Sequence, residues 1–291
     1  MIIVRLMGGL GNQMFQYSAG KSLANIIGCD LEFDNSFFNL KSEGQFTPRK
    51  NELSTFEIDI KIASERDLKV YKMYETEKVL NFLQNKIPFL FKYHYISETS
   101  FNFMSNFHDF TDNAYLNGYW QSEKYFLNIE SIIRNDFIFN PDIIKSNLTL
   151  SNKIINTESV SIHLRRGDYV TLPSAKNHYK LCSLEYYKQA IEYLKNRLTK
   201  FELFVFSDDI LWCKENLTFE FPVNFIESGN SQSDLYLMSR CKHNVIANSS
   251  FSWWGAWLNS NKNKIVIAPN DWFIDETIDT SDLIPPSWVR I

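Results

Sequence analysis

From residue 160 onward, short apolar runs alternate with segments of helical period, and that alternation leaves few folds open. Residues 160–164, 203–206, 223–226, 244–247 and 264–268 read as buried strands. Between them lie a helix that Ser183 can N-cap and that runs to about residue 198, a helix after Ser207-Asp208-Asp209, a helix over 232–241, and a helix over 251–258 that follows the turn Asn248-Ser249-Ser250. Strands joined by single helices form a parallel sheet with helices on both faces. Ligands of such sheets sit beyond the carboxyl ends of the strands. Residues 165–179, read as a polar loop, 207–209 and 248–250 all fall there.

The amino-terminal part opens the same way. Residues 2–6 read as a strand, Gly8-Gly9-Leu10-Gly11 as a turn, 12–27 as a helix with Gly28 as its C′ residue, and 31–33 as the next strand. The middle is less regular: 64–74 and 77–91 read as helices, the second broken at Pro88, then 114–116 as a strand and 122–127 as helical. Residues 140–156 are polar and turn-prone around their apolar positions, which puts a domain boundary there. The expectation is two domains, 1–155 and 156–291, with the last residues free to pack back on the first.

Composition narrows the functional classes. The 291 residues suffice for two α/β domains, 44% hydrophobic and 22% charged content is globular, and the 24 Phe and 14 Tyr fill a core. A net charge of −4 without a basic stripe argues against a nucleic-acid partner, although a few Arg residues and helix N-termini still suffice for a small anion. Cys29, Cys182, Cys213 and Cys241 have no C-x-x-C spacing, so a zinc or redox motif is not expected and a reduced cytoplasmic setting is. The apolar run at 2–6 is too short for a signal-peptide core, and charges break every other apolar stretch before about 18 residues, leaving at most peripheral contact with the inner membrane face. His94, His108, His178 and His243 are isolated and read as non-ligands.

Four motifs carry chemistry. Gly8-Gly9-Leu10-Gly11-Asn12-Gln13, between strand and helix, lets a ligand approach the backbone; it is a partial dinucleotide fingerprint, with Met14 at the third glycine position and Asp30, Glu32 or Asp34 at the acidic position. His163-Leu164-Arg165-Arg166-Gly167-Asp168-Tyr169 ends a buried strand with two Arg residues, which match phosphate oxygens in bidentate fashion; the bland alternative is a structural Arg–Asp network. Asp208 and Asp209 are open to three uses: a metal, the amine edge of guanine, or a helix cap. Asn248-Ser249-Ser250-Phe251 opens a helix with small polar residues and exposed amides, an anion site, while Trp253, Trp254 and Trp257 behind it read as core.

Together with Gly118-Tyr119-Trp120-Gln121-Ser122, these blocks make the chain resemble the bacterial α-1,2-fucosyltransferases of glycosyltransferase family eleven, over nearly its whole length. The resemblance implies a GT-B-like α/β fold, two Rossmann-like domains facing across a cleft, the first mainly for acceptor and the second for GDP-fucose. It implies inverting transfer of L-fucose to the 2-hydroxyl of a galactose residue in an oligosaccharide or lipid-linked glycan, as in O-antigen or polysaccharide biosynthesis, with no cofactor and no metal. By the same resemblance Arg165 contacts the β-phosphate and His163 lies near the nucleotide. Asp208 or Asp209 lies near guanine, Asn248, Ser249, Ser250 and Phe251 near the phosphates, and Gly11, Asn12 and Gln13 face the cleft. Arg166 joins the donor set, Gln13, Trp120 and Gln121 the acceptor set.

The chemistry then requires Arg165, helix amides near 249–251 and Arg166 to hold charge that develops on the leaving diphosphate. Asp168 either aligns an Arg or acts as the base, though two neighbouring Arg residues lower its basicity; a loose transition state with late deprotonation is the alternative to a dedicated base. Two rivals remain: an NAD(P)-dependent oxidoreductase built on Gly9 and Gly11, and a non-catalytic sugar-binding module. The first leaves Arg165-Arg166 and Asn248–Ser250 unexplained and has Met14 against its fingerprint, and the second has no use for a diphosphate clamp.

Overall fold

The protein is described by a computed structural model covering residues 1–41, 47–76, 92–110 and 113–291; the helix expected over 77–91 lies outside the described residues. By internal contacts the chain forms two units. One comprises Met1–Lys41, Pro48–Phe137 and Asp279–Leu283, the other Ser42–Thr47, Ile138–Ile278 and Ile284–Ile291.

In the first unit, β1 (Ile2–Arg5) leads into α1 (Leu10–Ile27), then β2 (Leu31–Asp34), α2 (Glu65–Thr76), β3 (His94–Ser97), β4 (Ala114–Asn117) and α3 (Glu130–Asp136). The strands pair in the order β2-β1-β4-β3, all in parallel. Helix α1 begins two residues earlier than its apolar period indicates, with Gly9 as N-cap, and ends at Gly28 in the left-handed conformation (φ 72°), whose N–H bonds Ala24 O at 2.9 Å. It lies hard against the sheet: a Cβ on Gly20 would meet Val4 Cγ2 at 2.3 Å. On one face of the sheet, Tyr71, Tyr95 and Tyr115 stack with centroids 5.3 to 5.4 Å apart. Residues 122–127, expected as a helix, form parts of two 3₁₀ turns, Glu123–Tyr125 and Leu127–Ile129, the first capped by Ser122.

The second unit runs α4 (Pro141–Ser146), α5 (Leu148–Ile155), β5 (Ser159–Leu164), α6 (Gly167–Thr171), α7 (Pro173–Lys176), α8 (Leu184–Lys195), β6 (Glu202–Ser207), α9 (Ile210–Asn216), β7 (Val223–Phe225), α10 (Ser231–Arg240), β8 (His243–Val245), α11 (Ser250–Leu258), β9 (Val266–Ala268) and β10 (Val289–Arg290). Its sheet has the order β10-β9-β8-β5-β6-β7, again parallel throughout. Amphipathic α8 seals one face with Tyr186, Tyr187, Ala190, Ile191 and Leu194 on Val160, Ile162 and Leu203; Ser183 caps it by accepting from Tyr186 N, as its position predicts. Trp253 and Trp254 of α11 are fully buried, as the core reading has it.

Two expected loops are helical, for one reason. Pro141 and Pro173 stand at the start of α4 and α7, where a missing N–H costs nothing and a fixed φ suits the helix. The same segment moves the division between units from the expected 155/156 to 137/138. Asn147 Nδ2 bonds Ser233 Oγ at 2.8 Å, Ser151 Oγ meets Tyr236 OH at 3.2 Å, and Phe139 packs edge-on against Tyr236 at 5.3 Å. Residues 138–155 are thus built onto α10. Near the other end, Asp279–Leu283 joins the first unit, while β10 returns to extend the second sheet. Among the described residues, no helix is long and apolar enough to cross a membrane.

A polar ladder crosses this second core. Asn244, 1% exposed, donates Nδ2 to Ser161 Oγ (2.7 Å) and Met238 O (2.9 Å) and accepts from Asn259 Nδ2 (2.7 Å). Buried partners that lose their hydrogen bonds cost more than the bonds contributed. Asn244→Ala should therefore lower unfolding free energy by about 2–4 kcal/mol, read from urea denaturation with an unchanged m-value.

Candidate active site

Pairing of β5 with β6 ends at Leu164 opposite Ser207, so the next residues, Arg165 and Asp208, leave the sheet side by side. Arg165 Nη1 meets Asp208 Oδ2 at 2.8 Å, and Nη2 meets Asp168 Oδ1 at 2.6 Å. Asp208 Oδ1 accepts Arg166 N at 2.8 Å. Asp209 divides its oxygens between Trp212 N, which it caps at 3.3 Å, and Arg166 Nε at 3.3 Å. The Arg166 guanidinium lies 3.5 Å from the centre of the Trp212 ring. This close packing depends on Gly167: a Cβ there would stand 2.6 Å from Asp208 Oδ2.

Electrostatics keep Arg165 cationic. Burial works to lower its pKa, but Asp208 and Asp168 overcompensate and hold it above the usual value. Its side chain remains 21% exposed, and a guanidinium has five N–H donors, so the two carboxylates leave it donors for an anion. His163, 4% exposed at the end of β5, behaves oppositely: burial pushes its imidazole down to about 4, Asp208 only partly resisting and Arg165 adding to the fall. It is neutral near pH 7, its Nδ1 has no hydrogen-bond partner among the described residues, and its ring tilts against Phe251 at 5.7 Å.

Phe251 and Ser250 begin α11 with Ser249 as the N-cap residue; no side chain caps that end. Asn248, which precedes them, is 1% exposed. Its Nδ2 donates to Lys180 O (2.6 Å) and Trp272 O (2.8 Å), and its carbonyl accepts from Tyr169 OH at 2.9 Å. Tyr169 in turn stacks flat on Tyr179, centroids 4.6 Å apart. Asn248 therefore shapes the turn with its side chain. The second unit thus brings His163, Arg165, Arg166, Asp168, Asp208 and Asp209 to the carboxyl ends of β5 and β6, and residues 248–251 to that of β8.

Three expectations change in the light of these bonds. Asp168 commits one oxygen to Arg165 and accepts Thr47 Oγ1 on the other at 3.2 Å, so of its two expected roles it takes that of aligning the arginine. Asp208 bonds Arg165 and Arg166 N, while Asp209 bonds Arg166 and caps α9, the last of the three expected uses. Among the described residues, no group of three or more His, Cys, Asp and Glu is arranged to hold a metal ion. Sequence reasoning missed Asp234. In the first turn of α10, beyond the carboxyl end of β7, its carboxyl is pushed up to about 6 by burial and accepts Ser228 Oγ at 2.6 Å. The signal for it was weak: one acid shortly after the cap residue Asn230. Trp212 and Thr47 were missed as well, because neither contact is local in sequence.

In the first unit the glycine-rich loop is held by its own glutamines. Gln13 is fully buried, donates Nε2 to Gly8 O and Lys50 O, each at 2.9 Å, and accepts Glu52 N at 2.8 Å. Gln16 accepts Met7 N at 2.9 Å. Gly8 has φ 74° and no room for a Cβ, which would fall 2.5 Å from Asn12 Nδ2. Gly11 is buried in the first turn of α1, and Asn12 accepts Gln121 Nε2 at 2.8 Å. Trp120 is fully buried against Phe107 and Tyr125. Gln13 and Trp120 are therefore scaffold here, a correction to the acceptor set; Asn12 and Gln121 form one bonded pair. The acidic positions that a dinucleotide site would use are spent too: Glu32 pairs with Lys61 at 2.7 Å, and Asp34 accepts Tyr115 OH at 2.6 Å.

Two parallel-sheet α/β units, with an Arg–Asp cluster and the start of α11 at the strand ends of the second, make up a GT-B-like architecture, a glycosyltransferase fold. The chain belongs to glycosyl transferase family 11, whose model matches residues 1–291. It is 38% identical to an α-1,2-colitosyltransferase of Escherichia coli, over all of this chain and 98% of that protein. It is 34% identical to the O-antigen biosynthesis glycosyltransferase WbnK of Escherichia coli, over 98% and 99% of the two. Its fold resembles that of the NodZ α-1,6-fucosyltransferase co-crystallized with GDP, with a TM-score of 0.51 at 13% identity over 87% of this chain and 90% of that one.

A neutral buried imidazole predicts a pH effect with a definite sign. Since burial lowers the folded-state pKa of His163 below its unfolded value, its contribution is complete above about pH 6.5 and is lost as pH falls toward 4. The stability difference between wild type and His163→Gln should change by up to roughly 3 kcal/mol over that window, wild type losing more, in urea melts at matched pH.

Proposed function

We propose that the protein transfers L-fucose from GDP-β-L-fucose to the 2-hydroxyl of a galactose residue in a glycan, with inversion and without a metal. The observation that carries this reading is Arg165: a guanidinium kept cationic by two carboxylates, with donors to spare, at the strand ends where parallel sheets bind ligands. An α-1,2 linkage is supported by the colitosyltransferase relative, a GDP donor by the fold neighbour co-crystallized with GDP, and an O-antigen or related glycan acceptor by the WbnK relative.

In this reading Arg165 and the amides at the start of α11 receive the β-phosphate as charge builds on the leaving group, which is where fixed donors lower a barrier. Arg166 and Asp208 position Arg165, and Asp168 secures it from the other side. Asp234 is the carboxyl with spare acceptor capacity at the same sheet edge, suited to the N–H edge of guanine. The acceptor hydroxyl loses its proton late, to solvent, as its oxygen bonds the anomeric carbon in a loose transition state, since Asp168 is held by Arg165 and Thr47. Support for metal independence comes from Arg165, a fixed positive charge that can take a metal's place beside the leaving phosphate.

A second donor has an observation in its favour. Colitose is fucose without the 3-hydroxyl, and a full-length relative is named for colitosyl transfer. A pocket that hydrogen-bonds the 3-hydroxyl of fucose would reject the colitosyl donor strongly, whereas an apolar one would separate the two only weakly.

GDP release should be measured with GDP-fucose and with GDP-colitose, with and without lactose, in EDTA. Acceptor-dependent release that survives EDTA, and falls about 10²–10³-fold in Arg165→Ala, is the expected result. Loss of release in EDTA would overturn the metal-free reading. Preference for the colitosyl donor would replace fucose, and no release from folded protein with either donor would overturn the reading itself.

A further inference from the structure

Glu98 follows β3 at the carboxyl edge of the first sheet, and both its oxygens face main chain. Oε2 accepts Tyr119 N at 2.7 Å and Oε1 accepts Trp120 N at 3.0 Å. Space for this is made at Gly118, where a Cβ would stand 2.5 Å from Glu98 Cβ. The turn it holds is a demanding one. Trp120 has φ 57°, a region that bulky residues rarely occupy, and its ring is locked between Phe107 and Tyr125, each 5.4 Å away. The following residue, Gln121, donates Nε2 to Asn12 Oδ1 at 2.8 Å, and Ser122 Oγ then bonds Asp282 O at 2.6 Å. One carboxylate thus sets a strained turn, and that turn sets the Gln121–Asn12 pair.

We infer that Glu98 is a positioning residue for sugar transfer: its carboxylate fixes the turn at 118–121 so that Gln121 and Asn12 meet the sugar substrates in one arrangement. The inference rests on the transferase reading above. Glu98 touches no substrate in this role and acts through the turn.

Its titration gives the role a signature. Burial pushes the Glu98 carboxyl up to about 7, against the pull of the two amides. Protonation turns one accepting oxygen into a hydroxyl, and one of the two N–H groups loses its acceptor. Tyr119 and Tyr125 interact electrostatically with Glu98; Arg5 of β1, which pairs with Glu75 at 2.9 Å, acts on Tyr119, Asp282 acts on Tyr125, and His94 and Tyr95 lie in the strand that Glu98 follows. Burial pushes the Tyr95, Tyr119 and Tyr125 hydroxyls up and the His94 imidazole down, away from the range where Glu98 changes charge. The signs for folding and function are opposed. A raised carboxyl pKa favours the folded state at low pH and loses that contribution as pH rises through about 7. The turn needs the ionised form, so substrate binding should improve over the same rise. A purely structural carboxyl would move the two together.

The experiment is a pH series from 5.5 to 9 of acceptor KM and kcat for wild type, Glu98→Gln and Glu98→Asp, with thermal melts at each pH. Wild-type acceptor KM should rise below about pH 7 while Tm does not fall with it. Glu98→Gln should show KM raised about tenfold or more at pH 8, independent of pH, with kcat within about threefold of wild type. Glu98→Asp keeps the charge and should retain the pH dependence at a higher KM; it serves if Glu98→Gln does not fold. Wild-type KM and pH dependence in Glu98→Gln, or loss of pH dependence in a folded Glu98→Asp, would overturn the inference alone. So would a fall in kcat of about 10² at unchanged KM, since that places Glu98 at the reacting atoms. Absence of transfer by wild type from both GDP donors would overturn the transferase reading and this inference with it.

Discussion

The register between β5 and β6 is the constraint on which the candidate site depends. Val160 through Leu164 pair with Leu203 through Ser207 in parallel, and the strands end together. Arg165 and Asp208 therefore emerge next to each other, already 2.8 Å apart. A slip of one residue would reverse which side chains face each layer. It would also bury a charged residue in the cluster packed by α8. The apolar alternation that selects the core thus also selects the ion pair, and the Arg166, Gly167 and Asp209 contacts follow from that first one.

Ion pairing fixes the geometry of the cluster. Two arginines meet three carboxylates, all partly withdrawn from water. A guanidinium in that position would be costly alone, and carboxylates alone would be worse. Pairing them keeps the Arg165 geometry fixed in advance, at the expense of some of its pull on an incoming phosphate. Such pre-set donors need little reorganisation when charge develops. Asn248 contributes in the same sense, by tying 180 and 272 to the turn before α11.

In the first unit the polar side chains of the loop serve its backbone. Gln13, Gln16 and Glu98 each satisfy main-chain groups in turns that helix or strand bonds cannot reach, which is required of buried backbone. Glycines at 8 and 118 admit these side chains where a Cβ would collide. The loop after β1 and the turn after β4 are joined through Asn12 and Gln121, so the two conserve one another's shape.

The sequence by itself determined the two parallel α/β units, most strand and helix positions from residue 160 on, the Ser183 and Asp209 caps, and the strand-end location of Arg165, Asp208 and Ser249. These depend on period, local hydrogen bonding and chain direction, all of which are short-range. Only the tertiary structure decided what each polar group does. Asp168 looked free beside two arginines, yet Thr47 and Arg165 take its oxygens. Gln13 and Trp120 looked available and are buried scaffold. Residues 140–156 read as a domain boundary, yet this segment packs on α10. Asp234 and Glu98 stood out in no motif, because a carboxyl's burial is set by neighbours far away in sequence. Partners separated by tens of residues leave no spacing to read, and for a buried polar group the partner is what fixes both its charge and its role.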